Sequence, residues 1–246
     1  MIDLDLHVDF ETCYDEKAGY SLKKMPTAQY VRDSRFKVEG VAIHCPQLGV
    51  RAYVEDPTDL FNALPWHRIR LWAHNTQFDG LVLTEHYGHV PADYACTMFM
   101  ARYMISQGLL DPRLQSSLDA LAPTVGMEKL DMDAALAEGT LDVYALRDLD
   151  IHVALARLWL PQIPASEMAI MAQHIRMATE PVFDLAVSEL QAIADKDKKL
   201  EELFPLVRKD ALFTAALQGF GVAMEYKTTA KGNTKPALAK SDKFMQ

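Results

Sequence analysis

Asp9 and Glu11 stand two apart in the run Leu4-Asp5-Leu6-His7-Val8-Asp9-Phe10-Glu11-Thr12. Leu6, Val8 and Phe10 alternate there with His7, Asp9 and Glu11, the period of a strand, so both carboxylates project from one face. Two anions side by side repel each other unless a divalent cation or a raised proton affinity relieves them. A solvated acidic strand face has the same pattern. A second acid, Asp79, follows an apolar run in His74-Asn75-Thr76-Gln77-Phe78-Asp79-Gly80. It falls in the first turn of a helix, where an acid can serve a site or simply meet the helix dipole and cap backbone donors. Tyr144 and Asp148 are four apart in Asp142-Val143-Tyr144-Ala145-Leu146-Arg147-Asp148, hence on one helix face. Taken alone, that pair is also what a plain surface helix carries.

The elements that must position these groups read as strands first, then strands alternating with helices. Short strand-like runs cover Val38 to His44 and Val50 to Val54, separated by a Pro and Gly turn, so a three-strand antiparallel meander opens the chain. Pro57 to Leu64 reads as a short helix, and Ile69 to Ala73 as a buried strand feeding a helix from about Gln77 to Tyr87. Ala92 to Cys96 is a weaker strand, followed by helices to about Arg102, from Ser116 to Ala122 and from Asp142 to Leu160. The order predicts an α/β domain with a mixed sheet flanked by helices. Pro161, Pro164 and Ser166 place a boundary near residue 164, with a helical appendage over 165–246. Within it, Asp184 to Phe204 reads as one amphipathic helix and Tyr226 to Pro236 as a polar, basic loop.

Composition narrows the partners. The 246 residues carry a net charge of −9, which argues against a protein that coats duplex DNA by neutralising phosphates. The excess acid lies entirely in 1–164, whereas 165–246 holds 11 basic and 11 acidic residues and ends in a lysine-rich tail. Cys13, Cys45 and Cys96 are odd in number and widely spaced, without a Cys-x-x-Cys pair, so a reducing cytoplasm is expected rather than a disulfide framework. The acidic start lacks a secretory signal's basic residues, and no apolar run approaches the ~20 residues of a membrane span. No membrane association is expected. His44, His74 and His152 form no metal set with cysteine at usable spacing, and Trp66, Trp72 and Trp159 read as packing.

In combination the three acidic motifs are more telling than singly. Asp-x-Glu on a first strand, Asn-x-x-Phe-Asp at a strand-to-helix junction about seventy residues on, and Tyr-x-x-x-Asp on a late helix resemble the motifs of DEDD 3′–5′ exonucleases, which have a ribonuclease-H-like fold. Val143 stands where one branch has histidine, and Tyr144 places the resemblance with the DEDDy branch. Asp9-Phe10-Glu11-Thr12, Ala73 through Asp79, Cys96-Thr97-Met98 and Ser117 through Ala122 are similar to the proofreading domain of phage-type family A DNA polymerases. Residues 165–246 are similar to the segment that leads from exonuclease into thumb, and the chain carries no polymerase nucleotide-binding motif.

The resemblance implies a two-metal hydrolase using Mg²⁺ or Mn²⁺ held by Asp9, Glu11, Asp79 and Asp148. Asp9 would bridge both ions, Glu11 and Asp148 would complete the site of the attacking water, and Asp79 would support the second ion. Tyr144 would orient that water; a phenol titrating near ~10 is a poor base, so deprotonation falls to the metal. Thr12, Asn75 and Phe78 would hold the terminal nucleotides. The implied substrate is single-stranded DNA or a frayed primer 3′ end, with Lys227, Lys231, Lys235, Lys240 and Lys243 touching phosphate. Two alternatives stay open: an RNA 3′ exonuclease of the same branch, and a subunit that docks on a separately encoded DNA polymerase without activity of its own.

Overall fold

The computed structural model describes residues 2–180, 188, 191–195, 210–219, 221–229 and 231–238. The chain divides into two compact units, Met1–Val182 and Phe183–Gln246.

In the first unit the sheet has the order β3-β2-β1-β4-β5, formed by β1 (Leu4–Thr12), β2 (Val38–Cys45), β3 (Val50–Val54), β4 (Ile69–Ala73) and β5 (Asp93–Cys96). β1, β2 and β3 are the antiparallel meander, while β4 and β5 run parallel to β1. Two parallel strands cannot be joined by a tight turn, and helical crossovers duly separate them. This order, with β2 alone reversed, is the ribonuclease-H-like arrangement. Helices α1 (Thr27–Val31), α2 (Thr58–Ala63), α3 (Thr76–Tyr87), α4 (Thr97–Ser106), α5 (Leu118–Leu121), α6 (Met132–Glu138), α7 (Leu141–Trp159) and α8 (Ala165–Thr179) complete the unit.

β1 is covered on both faces. Phe10 meets Phe61 of α2 and Tyr87 of α3 on one side, ring centroids 6.0 and 5.9 Å apart. On the other side α7 crosses β1 and β2, and a small cluster of Ala42, Ala145, Leu149 and Val153 fills that contact. The polar face of β1 is therefore an interior surface, and Glu11 is only 7% exposed. Trp66, Trp72 and Trp159 are buried, with the first two indoles donating to Phe61 O and Asp5. Among the described residues no helix is long and apolar enough to cross a membrane.

Two expectations change. The boundary near residue 164 moves, because α8 packs on α3 and β5 and buries Met171, Ala172 and Ile175. Gly80 admits this approach, since a Cβ there would lie 2.9 Å from the Thr179 methyl. Prolines 161 and 164 bend the chain between two helices of one unit rather than between units. In the second unit, the expected basic loop contains a hairpin of β6 (Tyr226–Thr228) and β7 (Thr234–Pro236), in which Lys227 faces Lys235. Its three-residue strands have no alternating apolar pattern to announce them. That unit also holds α9 (Asp210–Gly219). Most of the expected helix over 184–204, and Lys240 and Lys243, lie outside the described residues.

Candidate active site

Three local devices bring the acids together. A register shift between Glu11 and Thr12 interrupts the ladder of β1 with β2 before its last pair, Thr12 with Val38, the kind of bulge that re-aims a side chain at a strand end. Glu11 pairs there with Gly40, and a Cβ at Gly40 would collide with the Tyr53 ring. At the β4–α3 junction the Thr76 hydroxyl donates to Ala95 O at 2.6 Å and accepts from the Ala73 N–H at 3.1 Å, fixing the first turn of α3. Asp79 in that turn accepts from the Phe10 N–H at 3.2 Å, between the two acids of β1. On α7, Tyr144, Asp148 and His152 occupy successive turns of the buried stripe that faces the sheet.

Burial and mutual repulsion govern the electrostatics. Loss of water, then the Asp148 charge, lifts Asp9 to about 7. Loss of water, with Asp9, Asp148 and Asp79 behind it, lifts Glu11 to about 9. Asp79 is raised by burial and by Asp9. Asp148 is raised by burial although Lys129 opposes the shift, and the Tyr144 phenol is pushed further up by burial and Asp148. Each acid thus feels at least one of the others, as expected of four carboxylates gathered from β1, α3 and α7.

Lys129 is the participant that sequence reasoning missed. Its ammonium contacts Asp148 Oδ2, donates to the Tyr144 hydroxyl at 2.6 Å and lies 4.6 Å from that ring's centroid. The Arg147 guanidinium donates to Glu128 O at 2.9 Å and so pins the loop that carries Lys129. A lone lysine in a loop has no periodicity to mark it. Only the Arg147 spacing on α7, one residue before Asp148, hints that this loop is held at the site.

The donor set suits a hard divalent cation, since it is all carboxylate oxygen. Asp148 Oδ1 is buried with no hydrogen-bond partner among the described residues, an acceptor left over for a cation. Among the described residues no group of three or more Asp, Glu, His or Cys side chains is placed so that it could hold a metal ion. The Lys129 ammonium stands beside Asp148 instead.

Two cavities border Glu11. One, of about 320 Å³, is lined by Phe10, Glu11, Thr12, Tyr14, Phe78 and Met132 among others. The second, of about 350 Å³, shares Glu11, Thr12, Tyr14 and Met132 and extends to Leu136 and Leu141. Thr12 and Phe78 thus border space beside Glu11, with the Thr12 hydroxyl 2.8 Å from Tyr30 OH. Asn75 heads α3 and lines neither cavity.

No protein-family model and no curated protein matches the sequence. Solved structures of similar fold include Brucella melitensis NrnC bound to pGG, at 17% identity over 72% of this chain and 83% of that one, TM-score 0.49. Trypanosoma brucei RNase D has 14% identity over 74% and 68% of the two chains, TM-score 0.49. Escherichia coli RNase D, an exoribonuclease involved in structured RNA processing, has 15% identity over 72% and 46%, TM-score 0.46. The likeness is one of fold.

Proposed function

We propose that this chain is a metal-dependent 3′–5′ exonuclease. What supports the reading is that Asp9, Glu11, Asp79 and Asp148, from three separate elements, are buried and near enough for their charges to raise one another's proton affinities, with Glu11 lining two cavities. Such a concentration of like charge costs stability in a metal-free fold, so it is best understood as a cation site.

Asp9, Glu11, Asp79 and Asp148 would hold two Mg²⁺ or Mn²⁺ ions. When bound, such a pair lowers the pKa of the attacking water and neutralises charge on the phosphate and the leaving 3′ oxygen. Tyr144 keeps its proton at neutral pH and serves as a hydroxyl that orients rather than a base. Lys129 places a further cation beside Tyr144 and Asp148, suited to an anionic substrate. Thr12 and Phe78 border the space for terminal nucleotides, and Asn75 is a candidate at its margin.

The substrate is a single-stranded or frayed 3′ end. The polymerase-like residues favour DNA and a proofreading role beside a separately encoded polymerase, with Lys227, Lys231 and Lys235 contacting phosphate. RNA is the better-supported reading, since the structures of similar fold include two RNase D enzymes and NrnC bound to pGG, and hydrolysis of the terminal phosphodiester does not involve the 2′ carbon. The free thiols of Cys13, Cys45 and Cys96 are compatible with a reducing cytoplasm.

The test follows 5′-labelled single-stranded DNA and its RNA counterpart with Mg²⁺, Mn²⁺ or EDTA, beside Asp9→Ala. A ladder shortening from the 3′ end that needs metal, and that falls about 10³-fold or more in the variant, is expected. Whichever polymer is cut names the substrate. Absence of cleavage on both, with either metal, overturns the reading.

A further inference from the structure

Beside the acids runs a line of buried and half-buried polar side chains with a fixed direction. His7 Nδ1 lies 3.0 Å from His152 Nε2, and His152 Nδ1 lies 3.0 Å from Thr97 Oγ1. Thr97 Oγ1 lies 3.0 Å from His74 Nδ1, and His74 Nε2 lies 2.9 Å from Ser116 O. Burial holds His74 at about 4 and hence neutral near pH 7, and a carbonyl only accepts, so His74 carries its single proton on Nε2 and leaves Nδ1 as an acceptor. The single hydroxyl proton of Thr97 therefore points to His74, and Thr97 Oγ1 must accept from His152 Nδ1–H. His152 is then left with Nε2 as an acceptor, and His7 must donate from Nδ1. His74 and His152 are thus neutral, in one tautomer each, and His7 carries a proton on Nδ1. Burial agrees, holding His152 well below its ordinary value.

The line joins β1, α7, the start of α4, the end of β4 and the segment before α5. His7 is two residues before Asp9 on the same face of β1, and His152 is one turn after Asp148 on the same face of α7. The His7–His152 bond is thus a crosslink between two elements that each carry an acid a single step away. We infer that the His7–His152–Thr97–His74 chain is the alignment device of the site, fixing α7 against β1 and so setting the spacing of Asp9 and Asp148. His7 and His152 are positioning residues, and this role rests on the exonuclease reading above. Groups that orient metal ligands from behind are commonly worth about 10–100-fold in metal affinity or rate.

The test compares wild type with His7→Asn and His7→Leu, which are nearly isosteric. Asn places an amide nitrogen where Nδ1 stands and can still donate to His152; Leu cannot. Long-range ¹⁵N correlation spectra of the wild type should show His7 and His152 protonated on Nδ1 and His74 on Nε2, whatever the activity. His7→Leu should lose about 10–100-fold in kcat and in Mn²⁺ affinity read by paramagnetic resonance, with KM within about threefold, and His7→Asn should recover most of both. Thr97→Val, which cuts the same chain at another link, should repeat the loss if His7→Leu does not fold. Different tautomers, or a folded His7→Leu with wild-type kcat and Mn²⁺ affinity, would overturn the inference, as would equal impairment of Asn and Leu. A wild type that shows these tautomers but cuts no substrate would instead sink the exonuclease reading and leave the chain's geometry standing.

Discussion

The backbone N–H of Phe10 donates to the side chain of Asp79, so the residue between the two acids of β1 is tied to the third acid on α3. This bond gives Asp79 a structural duty separable from metal binding. Asp79→Asn keeps an acceptor for Phe10 and removes one negative charge, and its melting temperature in EDTA should not fall below the parent's. Its exonuclease rate should fall at least about tenfold. Asp79→Leu leaves the Phe10 N–H buried and unpaired, at a cost of about 1–3 kcal/mol read by denaturant unfolding.

Lys129 holds Asp148 and Tyr144 when no ion is present, so its loss should act in opposite directions on two measurements. Lys129→Met leaves Asp148 without its cation, and metal-free stability should fall by roughly 1–3 kcal/mol. Mn²⁺ titrated by calorimetry should bind more tightly, because one competing positive charge is gone. Unchanged values of both would show that Lys129 is a bystander.

The raised carboxylates give the response to metal a pH dependence of definite sign. A carboxylate whose folded pKa exceeds its unfolded one contributes stability that is full below the unfolded value and lost as pH rises through the folded value. For Asp9 and Glu11 that window runs from about 4 to about 7 and about 9 respectively. The metal-free protein should therefore lose this contribution across that range, while bound ions keep the same groups ionised and favourable. The rise in melting temperature on adding Mg²⁺ should grow from pH 6 to pH 9. A rise that is constant or shrinks with pH would contradict the charge arrangement.

Buried neutral histidines act at the acid end. His7 and His74 have folded pKa values below the unfolded one near ~6.5, so their contribution is present above that value and lost as pH falls toward about 3 and about 4 respectively. With Mg²⁺ saturating, each such group should steepen acid unfolding by about 1.4 kcal/mol per pH unit. Urea unfolding at pH 5.0 and 6.5 measures the slope, and His7→Leu should flatten it.

Tyr144→Phe separates orientation from proton removal. The phenol stays protonated, so its loss should reduce kcat by about 10–100-fold and leave Mn²⁺ affinity nearly unchanged. A pH–rate profile whose alkaline limb vanished in the variant would show that the phenol titrates during turnover.

The sequence was most readable where periodicity and chemistry coincide. The alternation around Asp9 and Glu11, the apolar strand before Asn75 and the spacing of Tyr144 from Asp148 identified the strand, the junction and the helix that carry the acids. What it hid depends on contacts between distant segments. Lys129 acquires meaning only because Arg147 holds its loop against α7. His7 looks like the polar face of a solvated strand until α7 covers it, and His74 and His152 are 78 residues apart in the chain yet share the Thr97 hydroxyl. The two prolines near 161–164 advertise a break, but whether a break separates units is decided by what the next helix buries, which no local signal records.

The seat of α8 on the first unit also governs how the chain can be shortened. Its Ile175 and Met171 are core residues, Arg176 donates to Ala92 O at 3.1 Å, and Thr179 O accepts from the Thr84 hydroxyl of α3 at 2.9 Å. A fragment ending at Pro164 would bare an oily strip over Tyr94 and Gly80 and free the helix that carries Asp79 from its outer brace. Such a fragment should be sticky and prone to self-association, whereas one ending just past Glu180 takes its own roof with it.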